Sequence, residues 1–318
     1  MKVLITGCAG FIGSHLSTRL LARGDQVLGL DSFDETLYPA ALHHSNLAAV
    51  QATPGDFHFT QGDLLTPDLL PRLLRGCDAV VHLAALAGVR PSLTQAPRYQ
   101  RVNVEGTALL LQACREAGVR RVVFASSSSV YGAHSPVPFR EDDPALRPAS
   151  PYAASKRAGE LLCSTDADLY GTAITSLRFF TVYGPRQRPE MAIHKFARLL
   201  LAGQPVPLFG DGGTARDYTF IDDIIDGVVA ALDATGPAGH RVYNLGGSQV
   251  TTLRRLLELL EQALGREARI DWQPEQPGDV PITYADVSRA ARDLGYAPRV
   301  PIDDGIRRFC AWLVASRA

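Results

Sequence analysis

The chain reads as an α/β protein, a Rossmann-type doubly wound parallel sheet with a smaller mixed α/β lobe. Three observations predict this. Short apolar strands without polar alternation recur through the first half, separated by helix-period stretches. A glycine-rich turn joins the first strand to the first helix. Beyond about residue 180 the texture shifts to proline- and glycine-rich segments between shorter elements.

Taken in order, "KVLIT" (2–6) is a strand buried on both faces, because no polar residue alternates within its apolar run. "FIGSHLSTRLLARG" (11–24) spaces its apolar residues as a helix does and stops at Gly24. "QVLGLD" (26–31) is the second strand. "DFHFTQGD" (56–63), "DAVVHLAA" (78–85) and "RRVVFASS" (120–127) follow, each preceded by a helix. Such repetition requires right-handed crossovers between parallel strands. Helices are expected at 97–118 and 150–170, then at 221–233, 251–264 and 301–315, with a strand near 241–245. Residues 1–180 are therefore expected to form the Rossmann domain, with later segments from about 210–250 interleaved. Residues 181–318 form most of the second lobe, and a cleft lies between the two.

Composition narrows the function. The net charge is −1 and no basic cluster stands out, which argues against nucleic acid or an anionic membrane as partner. No apolar run is long enough to span a bilayer, and "MKVLITG" lacks the features of a signal peptide. The five cysteines are odd in number and scattered, with no metal-ligand spacing. A disulfide framework and a metal centre are both disfavoured, and a reducing, cytoplasmic compartment is expected.

Two motifs carry chemistry. In "TGCAGFIG" (6–13), Gly7, Gly10 and Gly13 permit a tight turn, a close approach of backbone to a pyrophosphate, and close packing of helix on strand. The phosphates would meet the helix N-terminus. Asp31, ending the second strand, is placed to accept adenosine ribose hydroxyls. No arginine follows it in "DSFDE", so a 2′-phosphate would meet negative charge; NAD is expected rather than NADP. The second motif is "SPYAASK" (150–156). The chain has three lysines, Lys2, Lys156 and Lys195, against a large excess of arginine. A lone lysine is usually a solvated surface residue, but Lys156 lies one helical turn from Tyr152, on the same face. A compact ammonium there can favour the phenolate of a tyrosine that otherwise titrates near ~10. "ASSSSVYG" (125–132) ends the fifth strand, at the sheet edge where doubly wound folds bind ligands. His15, His82 and Cys8 read as packed residues, and Asp222 and Asp223 as acids favouring a helix start.

With "GDL" (62–64), "HLAA" (82–85), "VNVEGT" (102–107), "RFFTVYGP" (178–185), "RDYTFIDD" (216–223) and "NLGG" (244–247), these motifs make the chain resemble the extended short-chain dehydrogenase/reductase family of sugar-nucleotide epimerases and dehydratases. The resemblance runs nearly end to end. It implies that Phe11 and Ile12 join the glycines at the cofactor, that Asp63 and Leu64 flank the adenine, and that Leu83, Ala84 and Ala85 line the cofactor. Asn103 would brace the active site. Tyr152 would be catalytic base and acid, with Lys156, Ser127 and Ser129 beside it. Val89, Arg90, Ser127, Ser128, Thr181, Arg188, Phe209, Arg216 and Asp279 would contact the UDP-sugar, Arg216 at the diphosphate. The helices at 97–118 and 150–170 resemble the pair through which this family forms homodimers.

The subfamily turns on departures. Dehydratases resemble "STDEVYG" at the serine motif, whereas Ser127, Ser128 and Ser129 supply no acid. UDP-glucuronate decarboxylases resemble "LASPAS" where this chain has "LAALAGVRPS". UDP-glucose 4-epimerases carry Asn where Thr181 stands and Arg where Gln276 stands. The remaining pattern most resembles UDP-glucuronate 4-epimerases. A tightly held NAD would take the C4 hydride and return it to the opposite face of a 4-keto sugar. That intermediate is a β-keto acid prone to lose carbon dioxide. Thr181, Arg188 and the Ser127–Ser129 hydroxyls are candidates to hold its carboxylate out of alignment with the carbonyl. Arg188 reads equally as a surface or phosphate-facing arginine, and Arg90 as loop support. A 4-epimerase of UDP-glucose/UDP-galactose or a UDP-N-acetylhexosamine, and a non-catalytic NAD-binding sensor or scaffold, remain open readings.

Overall fold

A computed structural model describes residues 1–145, 147–274 and 280–316. The amino-terminal half is β1 (Lys2–Thr6), α1 (Phe11–Ala22), β2 (Gln26–Asp31), α2 (Ala40–Gln51), β3 (Phe57–Gln61), α3 (Leu69–Leu73) and β4 (Ala79–His82). There follow α4 (Val89–Thr94), α5 (Ala96–Gln100), a π turn (Arg101–Glu105), α6 (Gly106–Glu116), β5 (Arg121–Ser127), α7 (Pro151–Tyr170) and β6 (Ala173–Phe179). Seven parallel strands, among the described residues, make one sheet in the order Gly239–Leu245, β6, β5, β4, β1, β2, β3. Strand order reverses beside β1, so the crevice opens at its carboxyl end.

Both faces of the sheet are covered. Val3 and Ile5 point into one core with Val27, Val81, Val123 and Leu177. Leu4, between them, points into the other with Val80, Val122 and Ile174. The period-2 alternation of side chains thus explains an unbroken apolar strand. α7 begins where Ser150 Oγ accepts the Ala153 N–H (3.1 Å), with Pro151 in its first turn, and ends at Gly171 with φ 67°.

One local expectation changes. The helix expected over 97–118 is interrupted by the π turn, which holds Asn103; its buried amide accepts from Leu86 N (2.8 Å) and donates to Leu86 O (2.9 Å) and Ser155 Oγ (2.9 Å). The wider turn accompanies this inward-facing side chain, as such bulges do at functional positions. The strand near 241–245 lies in the segment expected to interleave with the Rossmann domain, and it joins the main sheet: Gly239–Leu245 pairs in parallel with β6, and Tyr243, Asn244 and Leu245 are buried. The remaining strands form a three-stranded sheet (Val250–Thr252, Ala215–Phe220, Thr181–Tyr183) and a parallel pair (Val206–Phe209, Ile270–Gln273).

Candidate active site

A cavity of about 960 Å³ lies over the carboxyl ends of β1, β4 and β5. Its floor is the glycine turn. Gly7 has φ 74°, and a Cβ there would sit 2.8 Å from Ala84 N; a Cβ on Gly13 would sit 2.0 Å from Gly7 O. Only glycine fits either position. No side chain caps α1, and Phe11, Ile12 and Gly13 of its first turn line the cavity. An uncapped helix N-terminus under a backbone cradle fits a dinucleotide pyrophosphate. Asp31 sits at the edge of this floor, where its Oδ2 accepts Ala9 N (2.9 Å) and its Oδ1 accepts Phe33 N (2.9 Å). A carboxylate has about four acceptor sites, so capacity for ribose hydroxyls remains. Asp63, Leu64, Leu83, Ala84 and Ala85 complete this half of the wall.

The reactive groups meet at the end of β5. Ser127 Oγ accepts from Ser129 N (3.2 Å) and from Ser129 Oγ (2.9 Å), so a turn of 3₁₀ helix presents Ser127, Ser128 and Ser129 to the cavity. Tyr152 lies within reach of Ser127 in the same cavity lining. Burial raises its phenol pKa, while Ser127 and the Arg188 charge pull the other way. Lys156, 4 % exposed, donates from Nζ to Ala125 O (2.8 Å) and lies 5.3 Å from the Phe124 ring centroid. Burial pushes its ammonium down to about 8. The lysine is therefore buried as the motif requires, but the cation whose field reaches the phenol is Arg188. Arg188 faces the same cavity as Thr181 and pairs with Glu190 at 3.2 Å, its Nη1 otherwise lacking a hydrogen bond.

Behind this wall lies a buried ion pair. Glu160, two turns after Tyr152, accepts Ser126 Oγ (2.6 Å) and both Nε and Nη2 of Arg178 (2.9 Å each). Burial alone would raise the Glu160 carboxyl, yet Arg178, Ser126 and Arg157 hold it below the usual carboxylate range. Arg178 stacks 4.6 Å over the Tyr131 ring, whose hydroxyl donates to Asn244 Oδ1 (2.7 Å).

Of the residues singled out from sequence, Val89, Arg90 and Arg216 also line the cavity. Asn103 and Phe209 do not. Asn103 ties the loop after β4 to α7, and the Phe209 ring lies beneath Arg90, 5.3 Å from its guanidinium carbon. Asp279, like Gln276, lies outside the described residues. His82 is pinned between Thr6 (2.7 Å) and Thr107 (3.0 Å) and burial lowers it to about 3; His15 bonds Pro185 O (2.9 Å) and burial lowers it to about 4. Both are neutral packed groups. Cys8 is buried beneath Gly29, and Asp223 accepts Arg299 N (2.9 Å) and Val300 N (3.1 Å), a structural role. Sequence reasoning missed Tyr38, His43, Gln187, Glu190, Lys195 and Tyr218 on the cavity wall. Lys195 was findable, since the rarity of lysine that marks Lys156 marks it equally. Glu160 and Arg178 also went unread.

The architecture and site define a dinucleotide-binding sugar-nucleotide enzyme class, and comparison makes the class definite. Residues 3–246 match the model of the NAD dependent epimerase/dehydratase family; the chain belongs to that family. It is 39% identical over 312 residues to UDP-glucuronate 4-epimerase of Thermodesulfobacterium geofontis, covering 97% of this chain and 95% of that one. It superposes with a TM-score of 0.93 on UDP-glucuronic acid 4-epimerase from Bacillus cereus in complex with UDP-glucuronic acid and NAD, at 38% identity over 99% of this chain and 100% of that one. A dTDP-glucose 4,6-dehydratase from Streptomyces venezuelae, DesIV with NAD bound, gives 0.92 at 38% identity over 100% and 98%. Fold similarity alone does not separate epimerase from dehydratase, so the site must.

Proposed function

We propose that this chain is an NAD-dependent UDP-hexuronic acid 4-epimerase, interconverting UDP-glucuronate and UDP-galacturonate through a transient 4-keto sugar. The observation that carries this reading is the convergence of Tyr152, Ser127, Thr181 and Arg188 on one cavity wall. Epimerase relatives at 39% and 38% identity support it. Elimination is disfavoured because the serine turn presents hydroxyls and no carboxylate.

Ser127 lowers the Tyr152 phenol pKa against burial, which favours the phenolate that takes the C4 proton. NAD, when bound over the glycine turn, supplies the hydride acceptor at C4 and gives the hydride back, so no net oxidation occurs. Lys156 cannot wander, being tied to Ala125 O, and offers its remaining N–H donors and its charge to the ribose side of the site. Arg188, whose Nη1 faces Glu190 at 3.2 Å without a hydrogen bond, can turn its fork from Glu190 to the C5 carboxylate, assisted by Thr181. Held there, the carboxylate stays out of the alignment needed to lose carbon dioxide. Arg216 and Lys195 supply cations for the diphosphate, toward residues 181–318.

We further propose a homodimer through α6 and α7. Leu169 (67 % exposed), Leu161 (54 %) and Leu109 (37 %) leave apolar surface on these helices that a second copy would cover.

The test is kcat/KM for UDP-glucuronate against UDP-glucose, in wild type and Arg188→Gln. The reading expects UDP-glucuronate to win and the substitution to erase most of its advantage. Equal or better activity on UDP-glucose would move the assignment to a neutral UDP-hexose; no activity on any UDP-sugar would leave an NAD-binding sensor.

A further inference from the structure

A second cavity, of about 330 Å³, lies beside the first and shares Tyr38, Gln187 and Arg188 with its wall. Arg186 lines this cavity and not the larger one. The backbone at Arg186 has φ 65°, a left-handed conformation that a non-glycine residue adopts under strain. Its Nη1 is buried and has no hydrogen-bond partner, and Arg186 forms no ion pair among the described residues. Arg186 as a whole is only partly buried, but a buried guanidinium N–H without a partner leaves a donor unused inside the fold, which is costly. Burial accordingly lowers the Arg186 pKa with no opposing charge to restore it.

The rest of the cavity explains what is missing. No carboxylate lines it among the described residues, and Glu190, the partner of Arg188, faces the larger cavity. His15 is neutral, its Nε2–H already given to Pro185 O. Tyr38, Ser45 and Asn46, whose Nδ2 is already given to Ala9 O (3.0 Å), also line it, together with Leu42, Ala49 and Trp312. Net positive charge, unmatched donors and limited volume together select a small oxyanion.

We propose that this side cavity is a binding site for a free small oxyanion of the phosphate class, held by Arg186 and separate from the NAD and UDP-sugar sites. This goes beyond the epimerase reading and does not depend on it. Because the segment carrying Arg186 also carries Arg188, the bound anion steadies the arginine that faces the sugar.

Equilibrium dialysis of radiolabelled inorganic phosphate, on protein saturated with NAD and UDP-glucuronate at fixed ionic strength, tests this. Saturation blocks the larger cavity, so failure here says nothing against the epimerase. One phosphate per chain is expected. Arg186→Gln should weaken it at least about tenfold, the equivalent of about 1.4 kcal/mol, while UDP still binds. Ala49→Leu, which adds bulk to the cavity lining and leaves the arginine itself in place, should weaken it as well. No saturable phosphate on the wild type, or unchanged binding in both variants, overturns the proposal.

Discussion

Tyr152 is largely protonated left to itself, and burial raises its pKa further, so that less of the phenolate base is available. What offsets burial is specific: the Ser127 hydroxyl and the field of Arg188. Tyr152→Phe keeps the ring and removes the proton carrier. It should lower kcat by about 10²–10⁴-fold, the range of general acid–base catalysis, with NAD affinity by fluorescence titration unchanged; a variant that retains turnover would remove Tyr152 from the chemistry. Lys156 illustrates the cost of such sites. Its ammonium titrates near 8 in the folded chain against 10.5 for an ordinary lysine. Between those values the unfolded chain binds more protons, so this lysine's contribution to stability rises with pH through that window. The charged form should cost about 3 kcal/mol at pH 7, each pKa unit being about 1.4 kcal/mol. Lys156→Met should therefore be more stable than wild type at pH 7, and the advantage should shrink by pH 10 in denaturant titrations. An advantage that does not change with pH would show that Lys156 is not desolvated.

At the scale of elements, the site is built where the end of β5 meets the first two turns of α7. The Glu160–Arg178 pair clamps the two together through Ser126, the neighbour of Ser127. Removing one partner of such a pair leaves a buried charge and should cost about 3–5 kcal/mol. Glu160→Gln should thus lower the urea midpoint and also depress kcat, because Ser127 loses its backing; a stable variant with full kcat would show the clamp to be idle. This clamp was not legible in the sequence, although the main strands were. β1 announces itself by an uninterrupted apolar run, and Gly7 and Gly13 by sterics that no other residue satisfies. β6 hides, because Thr175, Ser176 and Arg178 break its apolar run and yet are buried through tertiary partners. The π turn at Asn103 hides for the same reason, since what it satisfies lies at Leu86 and Ser155. Local pattern reports local physics, and side chains satisfied across the fold leave no periodic trace.

For the whole molecule, the surface proposed for a second copy is that of α6 and α7, where Leu109, Leu161 and Leu169 are exposed. Leu161 and Leu169 would be costly to leave in water as a patch, so a dimer is expected at micromolar concentration, and Leu161→Glu should split it in sedimentation equilibrium. A wild-type mass of one chain would contradict the homodimer without touching the chemistry. The chemistry itself rests on a cavity that takes both a dinucleotide and a UDP-sugar and returns the hydride it removes. Proton NMR of UDP-glucuronate incubated with the purified protein, with no NAD added, tests that most directly. The account predicts UDP-galacturonate, formed with cofactor that co-purifies. A UDP-pentose product would contradict it by showing that Thr181 and Arg188 do not protect the keto acid. No change at C4, even after NAD is supplied, would contradict it altogether.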